Sequence, residues 1–125
     1  MIAETHPPEM SQRKEDLILS KDAVMIRNGD GTIRYWSKGA QQLYGWKPNE
    51  ALGIISHRLL ETMFPVSLEA IEEELRKKGY WDGQLIHKRR DGSKVMVLSH
   101  WDLQENPSSL DQSITVVEVN RPSKS

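Results

Sequence analysis

The fold is decided by residues 28–53, which read NGDGTIRYWSKGAQQLYGWKPNEALG. The stretch opens with the strongest turn chemistry in the chain, because Asn-Gly and Asp-Gly pairs accept the positive φ angles of tight hairpin turns. The β-branched and aromatic residues 32–36 are typical of a strand, and the apolar run at residues 23–26 predicts its partner. Ser37 is then a helix cap and Gly45 a helix stop, so a short helix follows the hairpin.

More helical segments are predicted after this first one. Residues 48–53 and 54–62 each predict a short helix, the former because proline suits a first helical turn. Residues 68–78 predict a longer helix, since apolar residues recur at i, i+3 and i+7 between a Ser67 cap and a Gly79 stop. Three of its glutamates precede a lysine or an arginine by four residues, which indicates a solvated outer face.

Three strands are predicted after the long helix, at residues 80–89, 94–103 and 113–120. Asp91 and Gly92 provide a tight turn between the first two, and a polar loop separates the last two. A long crossover between the first hairpin and these strands lets all five form one antiparallel sheet with the helices on one face. The sequence therefore predicts an α+β domain with a hollow between its sheet and its helices.

The composition restricts the class of protein. The 125 residues suffice for one compact domain, and 17 Lys and Arg against 18 Asp and Glu give no positive field that would attract nucleic acid. With a mean hydropathy of −0.62 and no signal-peptide pattern, we expect a cytoplasmic protein without a membrane segment. We expect a flexible arm with a short lead-in helix at residues 1–21, the domain at 22–120 and a tail at 121–125.

Several short motifs, each weak alone, occur together in an order that is typical of one family. They are NGDG at 28–31 followed by Ile33, Tyr35 and Trp36, SKGAQQLYGW at 37–46, EALG at 50–53, GYWDG at 79–83, and RDGS at 90–93 before the strand that ends at Trp101. The combination resembles a PAS domain, the small sensor module of signalling proteins, over residues 22–120.

The resemblance implies a signal-input domain of the kind found in bacterial sensor histidine kinases of two-component systems. Such a domain senses a small ligand, a gas or a redox state in its pocket and relays it to an output domain, a kinase or another partner. We also expect a homodimer. PAS chains often continue after the last strand into a coiled-coil helix, whereas this chain stops soon after Asn120. Either an excised domain or an output through non-covalent partners would account for that ending.

The cofactor is not identified by the sequence. The chain has no cysteine, which excludes a flavin–cysteinyl adduct and a thiol-anchored coumarate. Haem b is a candidate cofactor, because His57 resembles the position from which one group of haem-binding PAS domains supplies the iron ligand; Trp101 would then be a donor to an iron-bound gas. The alternative is that His57 caps or packs a helix end and binds no metal.

The turn near Gly92 sets which residues would line the pocket. A three-residue turn centred on this glycine places His87 on the same face as Leu85 and Trp101, whereas a two-residue turn places it beside His100. We favour the three-residue turn, in which His100 faces outward. The predicted pocket residues are then His57, Leu85, His87, Val97, Ser99 and Trp101.

A second interpretation is a ligand-free PAS module for dimerisation or protein docking. Its hollow would be filled by Trp, Leu, Met63 and Met96 side chains, and Met96 and Leu98 on the outer sheet face would contact the partner. An enzyme is not expected, because the sequence contains no nucleophile elbow, no phosphate-binding loop and no convergent acids. The basic run at residues 87–90 alternates between the two sides of a strand, so we do not expect it to bind nucleic acid.

Overall fold

The computed structural model describes residues 21–105 and 114–123. These residues form the strands β1 (Ala23–Asn28), β2 (Ile33–Trp36), β3 (Tyr80–Lys88), β4 (Lys94–Glu105) and β5 (Ile114–Pro122), and the helices α1 (Lys38–Tyr44), α2 (Pro48–Ala51), α3 (Ser56–Leu59) and α4 (Leu68–Lys78). The predicted arm and lead-in helix, and the polar loop between the last two strands, lie outside the described residues. Within the described ranges, no helix is long and apolar enough to cross a membrane.

The five strands form one antiparallel sheet in the order β2-β1-β5-β4-β3. Strands β1 and β5 are therefore neighbours at the centre of the sheet, although all four helices separate them in the chain. The predicted α+β fold is confirmed. We call the face that packs against the helices the inner face, and the opposite face the outer face.

Helix α1 is held tightly against the start of β1. The Ser37 hydroxyl caps the helix by accepting the backbone N–H of Ala40 at 3.0 Å, and it also accepts the N–H of Val24 at 2.9 Å. Gly39 lies so close to the chain before β1 that a Cβ atom there would collide with the backbone carbonyl of Asp22. One serine and one glycine thus fix the angle at which this helix leaves the hairpin.

Helix α3 is shorter than the helix predicted at residues 54–62. The backbone before it pairs with the first hairpin instead: Ile33 N–H donates to the Ile54 carbonyl at 2.9 Å, and Ser56 N–H donates to the Gly31 carbonyl at 2.9 Å. After it, Glu61 adopts a φ of 43°, which ends the helical turn. Tertiary backbone pairing therefore limits this segment to Ser56–Leu59.

The turn between β3 and β4 has three residues, 90–92, closed by a hydrogen bond of 2.7 Å from Arg89 N–H to the Ser93 carbonyl. Gly92 takes the left-handed conformation with φ 92°, and it is the last residue of the turn, not its centre. Leu85 pairs with Val97 across the strands. The predicted three-residue turn and the face assignment are confirmed, because the odd-numbered residues from 81 to 87 and from 95 to 101 share the inner face, but the turn is centred one residue earlier, on Asp91.

Candidate functional site

A narrow cleft enters the domain on the inner face of the sheet. Its rim is formed by the turn of the first hairpin, helix α3, residues 62–64 and helix α4, and its floor by side chains of the sheet. The floor residues are Arg27, Leu85, His87, Trp101 and Glu118. The cleft has a volume of about 20 Å³, which is close to what one water molecule requires. We call it the Arg27 cleft.

An ion pair forms the centre of this floor. Arg27 Nε donates to Glu118 Oε1 at 3.1 Å, and the two side chains are only 7% and 3% exposed. They occupy diagonal positions on β1 and β5, since Met25 is the direct partner of Glu118 and Val116 that of Arg27. A buried pair of this kind is costly to desolvate and contributes little net stability compared with apolar residues of the same volume. Its presence therefore calls for an explanation other than packing.

The Trp101 ring covers the guanidinium of Arg27, with 4.1 Å between Cζ and the ring centroid. The Trp101 ring also packs edge-on against Trp81, with 5.1 Å between the ring centroids. Its indole N–H donates to Ser99 Oγ at 2.9 Å. The indole N–H is thus already engaged with a hydroxyl, and it does not serve as the gas-binding donor that the haem interpretation requires.

Hydrogen bonds extend from the ion pair along the inner face of the sheet toward β3. Glu118 Oε2 accepts from Asn120 Nδ2 at 3.1 Å, with Ser99 Oγ at a longer 3.5 Å. Tyr44 of α1 also bonds Asn120, and a hydrogen bond of 2.6 Å joins Tyr44 Oη to His87 Nδ1. Burial raises the pKa of Tyr44, with the Glu118 charge adding to the effect, so the phenol stays protonated. One buried polar network therefore links β1, β5, β4 and β3.

The network leaves a donor unused. Arg27 Nη2 is buried and has no hydrogen-bond partner within the described residues. An unpaired buried donor costs about 1–3 kcal/mol, and more when it is charged, so such groups are rare in folded proteins unless an unseen partner satisfies them. The floor of the cleft therefore carries a buried donor that has no partner among the described residues.

The two histidines of the cleft carry no charge near neutral pH. Burial lowers the pKa of His57, and the positive charges of Arg27 and Arg58 lower it further. Burial also lowers the pKa of His87; the Glu118 charge opposes this and the Arg27 charge reinforces it. The only charges on the floor are then those of the ion pair, which cancel.

The structure brings four of the six predicted pocket residues together. His57 borders the cleft on α3, while Leu85, His87 and Trp101 lie on its floor. Two others share the inner face but do not line the cleft: Val97 is fully buried in the apolar core, and Ser99 reaches the cleft only through its hydrogen bonds. Whether any of them binds a ligand stays a prediction.

The sequence interpretation missed Arg27 and Glu118, although a signal for both was present. Each is a charged residue at the buried phase of a strand: Arg27 follows Ala23 and Met25 in steps of two, and Glu118 is flanked in the same way by apolar Val116. Opposite charges at buried phases of two strands predict a buried pair once those strands are neighbours. The adjacency of β1 and β5 leaves no local pattern in the sequence.

The cleft does not fit a haem. His57 lies at the rim with its ring edge-on to Phe64 at 6.3 Å, and a volume of about 20 Å³ falls far below the roughly 300–1,000 Å³ of cofactor pockets. The hollow is filled by side chains, but Met63 and Met96 were wrong choices, because they are 52% and 37% exposed. Within residues 21–105 and 114–123, no group of three potential metal ligands is found.

The outer face carries a separate polar cluster beside exposed apolar residues. His100 lies between two carboxylates, with Nδ1 at 2.5 Å from Asp82 and Nε2 at 3.0 Å from Asp102, and its ring stacks on Tyr80. The His100 side chain points outward, as predicted for a three-residue turn. Burial is the largest single influence and lowers the pKa of His100, but the Asp82 hydrogen bond and the charges of both aspartates outweigh it, so the net pKa is raised. Leu98 nearby is 51% exposed.

Comparisons with known proteins agree with this architecture. The family model for the PAS domain matches residues 21–100. The structure is similar to a PAS domain from Colwellia psychrerythraea, with a TM-score of 0.73 and 22% identity over 92% of this chain and 97% of that one. It is also similar to a PAS domain from a two-component sensor histidine kinase, with a TM-score of 0.67 and 10% identity over 93% and 97% of the chains.

A third similar structure is the LOV domain of a blue-light activated histidine kinase from Erythrobacter litoralis, with a TM-score of 0.66 and 14% identity over 83% of this chain and 97% of that one. No curated protein sequence matches the chain. At these identities the similar structures show a shared fold, while the family model covers most of the described residues. The chain belongs to the PAS domain family.

Proposed function

We propose that this PAS domain is a signal-input module that senses a small ligand in the Arg27 cleft and relays its presence to an output domain or partner. The observation that carries the proposal is the unpaired Nη2 of Arg27, a buried donor at the floor of a cleft that opens to solvent. Burying an ion pair with an unpaired donor is unfavourable for stability. A ligand that accepts a hydrogen bond from Nη2 would offset part of that cost. Ligand binding therefore explains the buried pair, which stability does not.

The polar network supplies a physical route for the relay. A ligand that draws Arg27 toward the cleft weakens its bond to Glu118, and Glu118 is also held by Asn120, which bonds Tyr44. Occupancy would therefore favour one packing of the sheet and helix α1 over another, and a difference of about 1–3 kcal/mol between the two packings suffices for signalling. Haem-based gas sensing through His57 is not part of the proposal, because the cleft does not fit the macrocycle.

Nuclear magnetic resonance tests the proposal directly. The Trp101 ring stacks on Arg27, and its indole N–H gives a resonance in a well-separated region, so this resonance reports on the cleft. We would titrate the purified chain with acetamide, acetate, imidazole and urea as a panel of small polar probes. We expect saturable shifts of this resonance with at least one probe.

Two variants make the result specific. Arg27→Lys keeps a positive charge for Glu118 but lacks the planar fork that provides Nη2, so we expect it to fold and to lose the response. Arg34→Met is the matched control, because Arg34 is an exposed arginine of β2 that does not line the cleft. If no probe shifts Trp101, or if Arg27→Lys responds as the unmodified chain does, the proposed sensing site is wrong.

A second candidate function is favoured by the outer face. Tyr80 and Leu98 are 45% and 51% exposed there, on the same open face as the His100 cluster, which supports a ligand-free docking or homodimer surface. Leu98→Glu tests it by light scattering, with Val66→Glu as the control because Val66 is 52% exposed but belongs to none of the strands. An association lost only in Leu98→Glu would support this surface. Equal behaviour of both variants would count against it.

A further inference from the structure

We infer that the ligand of the Arg27 cleft is a small neutral molecule that presents a carbonyl oxygen to Arg27, such as an amide, and that the cleft discriminates against carboxylates. This inference rests on the proposed sensing function and narrows it to a chemical class. Arginine side chains in binding clefts commonly bind carboxylates, which match the guanidinium in charge and geometry, so a neutral ligand requires a separate argument.

The balance of charge on the floor argues against an anion. The single cation, Arg27, already has a carboxylate at 3.1 Å in Glu118, so a second carboxylate would be buried without a counter-charge. The histidines that could supply one are His57 and His87, and burial lowers the pKa of both. Near neutral pH neither ring compensates an anionic ligand.

The rim of the cleft adds negative charge. Glu72 of α4 and Asp30 of the hairpin turn both line it. Hydrogen bonds from Thr32, chiefly from its backbone N–H at 2.9 Å, lower the pKa of Asp30 and keep it ionised. An anion entering from solvent would pass these carboxylates before reaching a floor with no net charge, whereas a neutral molecule meets no such barrier.

The hydrogen-bonding pattern then selects the functional group. Arg27 Nη2 is a donor and needs an acceptor, and a carbonyl oxygen provides one without a charge. The rest of the lining combines polar groups with apolar side chains, among them Leu60, Phe64 and Leu85, so the ligand also presents apolar surface to the cleft. The cleft of about 20 Å³ is smaller than a ligand of a few heavy atoms, so binding requires it to widen, and the half-buried Phe64 at its rim is the side chain that would move.

Acetamide and acetate provide a matched test, because they have nearly the same shape and differ in charge. Both are titrated into the full chain at constant ionic strength and at about pH 7.5, where acetate is ionised. The Trp101 indole resonance is followed in the unmodified chain and in Arg27→Lys. We expect acetamide to shift the resonance saturably with a dissociation constant at least about tenfold lower than that of acetate, and to lose this effect in Arg27→Lys.

The other outcomes separate the two proposals. Acetate binding as tightly as acetamide in an Arg27-dependent manner would overturn the neutral-ligand inference and leave the sensing function intact. The same holds if only imidazole from the panel shifts Trp101, whereas a shift with urea, which is neutral and presents a carbonyl oxygen, would support the inference. If no member of the panel shifts this resonance, the site itself is wrong, and both proposals are overturned.

Discussion

The buried ion pair gives the sharpest prediction about this domain, because its two members should be strongly coupled. We would replace Arg27 by Met, Glu118 by Leu, and both together, and measure the free energy of unfolding of each variant. Each single change leaves one charge buried without its counter-charge. The double change replaces the pair by apolar side chains of similar volume beside the apolar core, and it leaves the Asn120 amide without its carboxylate acceptor.

The contacts set the expected magnitudes. Losing one member of a buried pair costs about 3–5 kcal/mol. In Arg27→Met, Glu118 keeps the amide of Asn120 at 3.1 Å and the longer contact with Ser99, so we expect the lower end, about 3 kcal/mol. In Glu118→Leu, Arg27 loses its carboxylate and retains stacking on Trp101, so we expect the upper end, about 5 kcal/mol. The double variant removes both charges but leaves the Asn120 amide without its acceptor, so we expect it to cost about 1–3 kcal/mol, far less than the sum of the single variants.

Urea unfolding followed by tryptophan fluorescence measures these differences, since the chain has four tryptophans, and Trp81 and Trp101 lie in the core. Glu74→Leu and Lys78→Met form the control pair, an exposed i, i+4 contact of 3.2 Å for which we expect a coupling of at most about 0.5 kcal/mol. A double variant of Arg27 and Glu118 as unstable as the sum of the single variants would refute the reasoning, because the two charges would then be energetically independent.

Three further predictions concern other parts of the domain. Ser37→Ala should destabilise the domain by about 2–4 kcal/mol, because one hydroxyl accepts both a helix N–H and a buried strand N–H. Ser67→Ala removes only an exposed helix cap and should cost about 1 kcal/mol. Denaturant unfolding compares the two variants, and equal losses would contradict the dual role of Ser37. Tyr44→Phe should cost about 1–3 kcal/mol by leaving His87 Nδ1 unpaired, and a calorimetric midpoint that does not fall would contradict this. His100→Asn should destabilise the domain more at acidic than at alkaline pH: the folded-state pKa of His100 is raised above 6.5, so its stabilisation is complete below 6.5 and is lost as the pH rises through the folded-state value. Unfolding curves of both chains at acidic and at alkaline pH check the sign of this difference, and an equal loss of stability at the two pH values would contradict it.

The fold could be predicted because its local signals agree with one another. Ser37, Gly45, Ser67 and Gly79 mark helix ends by their own chemistry, and each acts as predicted in the structure. The length of one turn also predicted which residues of β3 and β4 share the inner face. The helix predicted at residues 54–62 was too long because its first residues pair with the hairpin, and a contact between segments distant in sequence leaves no periodic pattern.

The candidate site was only partly predictable for the same reason. Leu85, His87 and Trp101 could be placed because they belong to one hairpin whose register is local. The Arg27–Glu118 pair joins residues that are 91 positions apart, and it follows only from the adjacency of β1 and β5. The size of the hollow was also out of reach, since it depends on how large side chains from several elements fill one space.

The position of the ion pair explains how the cleft and the outer face can act together. Neighbouring residues of a strand point to opposite faces, so Glu118 faces the cleft while Val119 faces outward and pairs with His100. A displacement of Glu118 toward or away from Arg27 must move the same backbone that holds Val119. Because interiors are packed too densely to deform smoothly, such a movement favours discrete alternatives. In the sensing function that we propose, the polar pair at the centre of the sheet would convert the presence of a ligand on one face into a change of surface on the other.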